Sequence, residues 1–573
     1  MTTPKEAAER LADSFDVDVD ENVTVDRPSQ ATQIVDMALG SVSLWHSDEH
    51  EPFATMEVTG HHENWPLRSR AFRTFLDFSF YRSRGKAPNS QARQGAIDTL
   101  CGIALYDSPE HKVWTRIAEH SGSILLDLGD EDWKAVAIRP TGWTVITDPP
   151  VKFRRPKSMR PLPVPLHNGS VDDLRRFLNL GSGADWVLIR AWLVQSVSAT
   201  GPYPIVTLYG EAGSAKSTAA RILKSCADPT IAPLRSQPRS EHDLLIAALN
   251  SWTIALDNLS SLSTWLSDAL CRLATGGGLG TRQLYSDADE SLFDVQRPVI
   301  LNGITSLADR GDLQDRCIPI TLPVIDEDVR RTEGDFWQDF AQAHPAILGG
   351  LLDVVSGALR ELPAVKLDRL PRMADFARRA VAAEKGQGWV DGTFMAAYAE
   401  NRAGANDTAL EASPVAGAVV DFMASRDEWS GTAAVLLAEL DSLVGETKAK
   451  RKGWPVDGAQ LGKILRRIAP NLRQAGTDVQ FDTPKRRMLA IRKGRDFAVI
   501  TDMPSQEPQE DGAIGADGHD SNRDSNVGSD STSPITATVH ARGREGVERL
   551  LHDSDVSNDS EIHNLSNEEV LEF

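Results

Sequence analysis

Residues 209–218 read YGEAGSAKST, and the reading of this stretch decides the fold around it. A phosphate-binding loop follows G-x-x-x-x-G-K-[ST], and here Ala215 stands where the last glycine belongs. The chemistry needs an apolar strand that ends in a glycine-rich turn and runs into a helix. Turn N–H groups and the helix start then face phosphate oxygens. All three parts occur in order: PIVTLY, then GEAGSA, then KSTAARILKSCA. On this reading Gly210, Glu211, Ala212, Gly213, Ser214, Ala215, Lys216, Ser217 and Thr218 cradle ATP. Lys216 reaches the terminal phosphates and the Ser217 hydroxyl sits on Mg²⁺. The alanine costs about 1–2 kcal/mol if its φ is positive, and close to nothing if φ is negative.

About forty residues on, IALDN ends an apolar strand with Asp257, where a carboxylate would hold Mg²⁺. About forty-five further, VILNG ends a third strand with Asn302, a polar group able to orient the attacking water. LADRGDLQDRCIPITLP then places Arg310 and Arg316 ahead of another apolar run. An arginine there can reach a neighbouring subunit's terminal phosphate and stabilise charge developing in the transition state. Arg316 is the better placed of the two, so the catalytic set is Lys216, Asp257, Asn302 and Arg316. One position departs from the pattern. Asn258 follows Asp257 where a second carboxylate usually acts as general base, and an amide cannot take a proton at neutral pH. A carboxylate elsewhere, Glu211 in the loop itself, or Asp257 serving both purposes are the alternatives.

With these motifs in this order, the block from about Asp185 to Pro323 resembles the core of an AAA+ ATPase. More narrowly it resembles the helicase half of phage, plasmid and poxvirus-type primase-helicases, the superfamily-three branch. The loop GEAGSAKS is similar to that of minichromosome-maintenance helicases, which carry alanine at the position of Ala215. The resemblance implies a ring, expected to be a hexamer of this chain, in which Arg316 meets the neighbour's site. It also implies a hairpin ahead of Asn302 that projects into the ring pore and contacts DNA. TRQLY and SLFDVQ read as its strands around the turn SDADE, with Arg282 the expected DNA contact.

The rest of the 573 residues group around this core, and the expected class is multidomain α/β with a P-loop AAA+ parallel-sheet core. Residues 1–30 are acidic and expected to be disordered, and 31–165 form an N-terminal α+β domain. There ATQIVDMALGSVSLW reads as helical, KVWTRIAEH and three further runs read as strands, and PPVKFRRPKSMRPLPVP is a linker-like exit. Its arginines (Arg68, Arg70, Arg73, Arg82, Arg84) form a second nucleic-acid face or simply coat a helix, and the adjacent His61 and His62 read as surface residues. The core spans 166–325, a helical region 326–410, a winged-helix-like basic domain 411–497, and a disordered acidic tail 498–573.

Charge separates the last two. The net charge of −21 argues against nucleic acid only until it is divided along the chain. Residues 502–573 hold 17 acidic and 4 basic residues, whereas 448–495 hold 14 basic and 3 acidic ones. In that basic module AQLGKILRRIAPNLRQAG has a helical stripe of Leu461, Ile464, Leu465 and Ile468, with Lys463, Arg466 and Arg467 mostly off it. TDVQFD and RMLAIRK then form a strand pair joined by TPKR, so Lys485, Arg486 and Arg487 would touch phosphate as a wing does.

The apolar run WVLIRAWLVQSV is too short to span a bilayer and reads as a buried helix. Four scattered cysteines without a CxxC pair support neither a disulfide framework nor a zinc knuckle, which suits a cytoplasmic protein. The leading expectation is an ATP- and Mg²⁺-dependent motor of a mobile element, acting on single-stranded or forked DNA. The alternative is a nucleotide-switched DNA-binding loader or regulator with slow turnover, which Asn258 favours.

Overall fold

The computed structural model describes residues 28–282, 290–293, 295–303, 311–445, 453–481 and 488–494. Helix α1 (Gln30–Leu39) starts where the Ser29 hydroxyl accepts from Thr32 N and stops at Gly40. Three strands follow, β1 (Val42–Ser47), β2 (Pro52–Val58) and β3 (His61–Pro66), then helices α2 (Arg70–Arg84) and α3 (Ser90–Tyr106). Strand β4 (Glu110–His111) pairs parallel with β1, giving the sheet order β3-β2-β1-β4. The helical reading of SVSLW is thus corrected: Gly40 ends the helix, and Val42–Ser47 pairs along its length with β2. His61 and His62 lie on β3, whose alternate side chains face opposite sides. His62 is exposed, but His61 is largely buried and 3.0 Å from Glu63, so the surface reading fails for His61.

A two-residue strand β5 (Val113–Trp114) precedes an antiparallel meander of β6 (Ile117–His120), β7 (Ser123–Asp127), β8 (Ala135–Arg139) and β9 (Gly142–Ile146). The run read as one strand, KVWTRIAEH, is broken at Arg116, whose φ is 64°. Strand β10 (Lys152–Phe153) pairs with β5, and the proline-dense segment after it is stitched down rather than free. Arg160 N donates to Pro229 O at 2.9 Å and Leu162 N to Leu128 O at 2.8 Å.

Helix α4 (Gly183–Ser196) is apolar all round and is buried from Leu188 to Ser196, as such a pattern requires. Then come β11 (Ile205–Tyr209), α5 (Lys216–Ala227), α6 (Glu241–Leu249), β12 (Ile254–Leu259), α7 (Thr264–Thr275), the hairpin strands β13 (Leu279–Arg282) and β14 (Glu290–Phe293), β15 (Val299–Gly303), the single turn α8 (Gly311–Gln314) and β16 (Cys317–Thr321). Strands β12, β15, β11 and β16 pair in that order, all parallel. Apolar cover on both faces explains why these strands read as continuous apolar runs.

The helices α9 (Glu333–Glu361), α10 (Ala374–Gln387) and α11 (Thr393–Glu411) pack against this core. On α9 a Cβ at Gly349 would lie 1.8 Å from Leu166 O, and one at Gly350 would lie 2.5 Å from Val171 N. Only glycine lets the chain at 166–171 lie this close to the helix. The last described unit holds α12 (Pro414–Ala424), β17 (Glu428–Thr432), α13 (Ala433–Val444), α14 (Gly458–Gln474), β18 (Thr477–Phe481) and β19 (Met488–Lys493). Its sheet is antiparallel in the order β17-β19-β18, and Leu461, Leu465, Ile468 and Leu472 of α14 fill its core. The chain is therefore multidomain α/β, with helices and several separate sheets.

Candidate functional site

Four residues from three elements, Lys216 and Ser217 of α5, Asp257 of β12 and Asn302 of β15, converge at the carboxyl end of the parallel sheet. The turn after β11 is built by Gly210, where φ is 150° and a Cβ would fall 2.5 Å from Ser214 Oγ. Ser214 is fully buried and its hydroxyl donates to Glu211 O at 2.9 Å, closing the turn on itself. Asn179 anchors the turn from outside, donating to Pro323 O at 2.6 Å and to Ser214 O at 3.3 Å. Ala215 has φ 62° and ψ 30°, the left-handed region, and caps α5 with no side-chain hydrogen bond. The costly branch of the alanine question applies, about 1–2 kcal/mol of backbone strain.

Lys216 opens α5 and folds its ammonium over the turn, donating to Gly210 O and Glu211 O at 2.7 Å each. Ser217 Oγ donates to Asp257 Oδ1 at 2.9 Å across to β12. Asn302, buried on β15, accepts from Asn258 N at 2.7 Å and places its Nδ2 3.5 Å from Ser217 Oγ. Strand pairing is interrupted between Leu256 and Leu259, and Asn258 there takes φ 55° with its side chain exposed. The bulge turns Asp257 toward Ser217 while Asn302 holds the next backbone N–H. Glu211, Ala212 and Gly213 form the exposed tip of the turn, and Thr218 is half-buried in the first turn of α5. A hydroxyl and one carboxylate beside a lysine suit Mg²⁺, which keeps several waters and takes few protein ligands.

Arg316 is elsewhere. It precedes β16 at the end where Cys317 pairs with Ile205, four strand positions from Tyr209, or about 13 Å. Its Nη1 donates to Asp312 O at 2.6 Å and its Nε is buried without a partner. Within one chain it does not join the other three catalytic candidates. Arg310 lies outside the described residues, as do Lys485, Arg486 and Arg487. Arg282 ends β13, opposite Glu290 on β14, and the rest of the turn it introduces also lies outside. Lys463, Arg466 and Arg467 are exposed on α14, and the Arg466 guanidinium lies 5.0 Å from the Phe481 ring centre.

Two residues near the turn carried no sequence signal, Asn179 and Arg330. Arg330 Nη2 would lie 3.6 Å from a Cβ on Gly213, and Ile325 N donates to Gly213 O at 3.3 Å. Both arrive from segments outside the loop motif, so no local spacing announces them.

Residues 171–407 match the family described as "Actinomycete integrative conjugative element replication protein", and residues 415–506 match the "AICE RepA C-terminal domain". No curated protein matches the chain. Among solved structures, the apo C-terminal region of NrS-1 is 13% identical over 82% of this chain and 100% of that chain, with a TM-score of 0.37. JCV Helicase is 9% identical over 39% of this chain and 67% of that chain, with a TM-score of 0.19. Over residues 171–407 and 415–506 the chain is therefore similar to the replication proteins of actinomycete integrative conjugative elements.

Proposed function

We propose that the protein is an ATP- and Mg²⁺-dependent DNA motor of its element, a ring-forming helicase of AAA+ type. The observation that carries this is the convergence of Lys216, Ser217, Asp257 and Asn302 at the carboxyl end of a parallel sheet. ATP and Mg²⁺ would supply a strained phosphoanhydride and charge neutralisation at that place. The turn from Gly210 to Thr218 offers its backbone N–H groups to phosphate, and Lys216 exchanges the carbonyls of Gly210 and Glu211 for phosphate oxygens. Ser217 and Asp257 would hold the cation, and Asn302 would align water. Arg330 adds a positive charge at the tip of the turn in the same chain.

Arg316 is too far from its own site to act there, so its catalytic role needs a neighbouring copy, most simply in a hexamer. DNA runs past Arg282 in the ring and along Lys463, Arg466 and Arg467, with Lys485, Arg486 and Arg487 as the wing of a winged helix. No helix among the described residues is long and apolar enough to cross a membrane, and the cytoplasm is the proposed compartment.

The second reading, a nucleotide-switched loader, rests on Asn258. Its side chain is exposed and it supplies no carboxylate after Asp257. One assay separates the readings: ATP hydrolysis with and without single-stranded DNA, followed by strand displacement. The motor predicts DNA-stimulated hydrolysis that Lys216→Ala abolishes, with unwinding of a fork. Hydrolysis without DNA stimulation at low salt refutes the motor, and stimulation without displacement leaves the switch.

A further inference from the structure

The family matches begin at residue 171, and the strands before it enclose a cleft that the nucleotide chemistry above does not use. The cleft measures about 1010 Å³. Its deepest cation is Lys152 on β10, half-buried, with Nζ donating to Thr55 Oγ1 at 2.9 Å and 5.7 Å from the Trp45 ring centre. Thr55 has no proton to spare in return, because its own goes to Asn64 Oδ1 at 2.7 Å while Trp45 Nε1 donates to it at 2.9 Å. Among the described residues Thr55 Oγ1 is the one hydrogen-bond acceptor of the Lys152 ammonium, which has three protons to give. His111 sets its ring edge-on to the same Trp45 at 5.7 Å, and Lys112 Nζ lies 4.3 Å from the Trp114 ring centre.

None of these three bases forms an ion pair among the described residues. The nearby carboxylates are engaged or peripheral. Asp148 is 3.2 Å from His62, while Glu57 and Glu119 are exposed on the lining. Burial lowers the pKa of Lys152, and burial together with Lys152 and His46 lowers that of His111. Basic side chains set close together are costly in isolation, and an anion placed between them lowers the cost. A single inorganic anion would leave most of the volume empty. An indole with a lysine beside it, Trp114 with Lys112, on the same lining as His111 and Lys152 is instead a combination that takes a base and its phosphate together.

We infer that this cleft binds a nucleotide unit, with phosphate on Lys152, His111 and Lys112 and the base against Trp114. A free mononucleotide and a stretch of single-stranded nucleic acid share that chemistry. The proposal is independent of the phosphate loop.

Cross-linking of the full chain tests it. The protein is irradiated with a thymidine dodecamer carrying one 5-iodouracil, and separately with 5-iododeoxyuridine monophosphate, then digested and mapped by mass spectrometry. The expected result is a cross-link in the peptide holding Trp114, reduced at least fivefold in Lys152→Met and in Lys112→Ala. Cross-links to residues 458–493 should stay at parental level. Lys112 is exposed, so its variant reports on the cleft even if Lys152→Met fails to fold. Labelling by the oligomer alone identifies a strand site, and labelling by the monophosphate identifies a mononucleotide site. No cross-link within residues 41–153 from either probe overturns the inference, as does one that both variants leave unchanged.

Discussion

Ala215 was the residue that made the phosphate loop doubtful, and its backbone gives the doubt a size. At φ 62° the residue sits where glycine is at ease and an L side chain is not. Ala215→Gly should therefore stabilise the unliganded protein, by about 0.5–1 kcal/mol after the extra freedom of glycine in the unfolded chain is deducted. Urea unfolding measures this, and a neutral or destabilised variant would show that the left-handed turn stores no strain. The strand, the turn and the helix start around YGEAGSAKST were legible, because they are consecutive in sequence. The sign of φ at Ala215 was not, because it depends on how Ser214 and Lys216 close the turn. Asn258 is a similar case. Its missing carboxylate could be read directly, but its bulged backbone and the bond from its N–H to Asn302 could not.

At the scale of the element, α9 shows how burial reshapes ordinary chemistry. Its apolar spacing predicted the helix, and the 29 residues from Glu333 to Glu361 form it despite Pro345. The helix buries His344 against Phe340, with ring centres 4.9 Å apart and Nε2 left without a partner. Burial lowers this imidazole to about 4, whereas a free one titrates near 6.5. The unfolded chain then binds the proton more readily, so stability is complete above pH 6.5 and falls as pH drops toward 4. The loss across that window should approach about 3 kcal/mol. Unfolding of the parent and His344→Phe across this range checks it, and the slope should flatten in the variant. An equal slope in both would mean that other groups carry the acid sensitivity. The strands β2 and β3 were not legible, since PFATMEV and HHENWP are short and lack clean alternation. The pairing of β2 with β1 and of β3 with β2 supplies what the local pattern lacks.

Across the whole molecule, a buried charge cluster ties the amino-terminal strands to the far end of the helix that Lys216 begins. Arg116 is fully buried and donates to Asp228 Oδ1 at 3.3 Å and to Arg160 O at 2.8 Å. Asp228 also accepts from Lys224 Nζ at 2.9 Å and from the backbone of Trp252 and Thr253. Burial pushes the Asp228 carboxyl up, but Lys224, Arg116 and the Thr253 N–H outweigh it and hold the group ionised. Asp228→Ala would strand two buried cations and should cost about 3–5 kcal/mol, read from the urea midpoint. A loss under 1 kcal/mol would mean that water enters and solvates Arg116 and Lys224. Nothing in DPT, at 228–230, announces this junction, because its partners lie 112 residues upstream and 4 residues back. What the sequence determined by itself was whatever is contiguous: the loop, the apolar strands, the buried helix at 183–196 and the basic stripe of α14. Which strands neighbour one another, that Arg316 stands at the opposite end of β16 from the loop, and that Lys152, His111 and Lys112 share one cleft were decided by tertiary structure alone. Local periodicity reports the environment of a segment. Only the packing of segments far apart in the chain determines which charges meet.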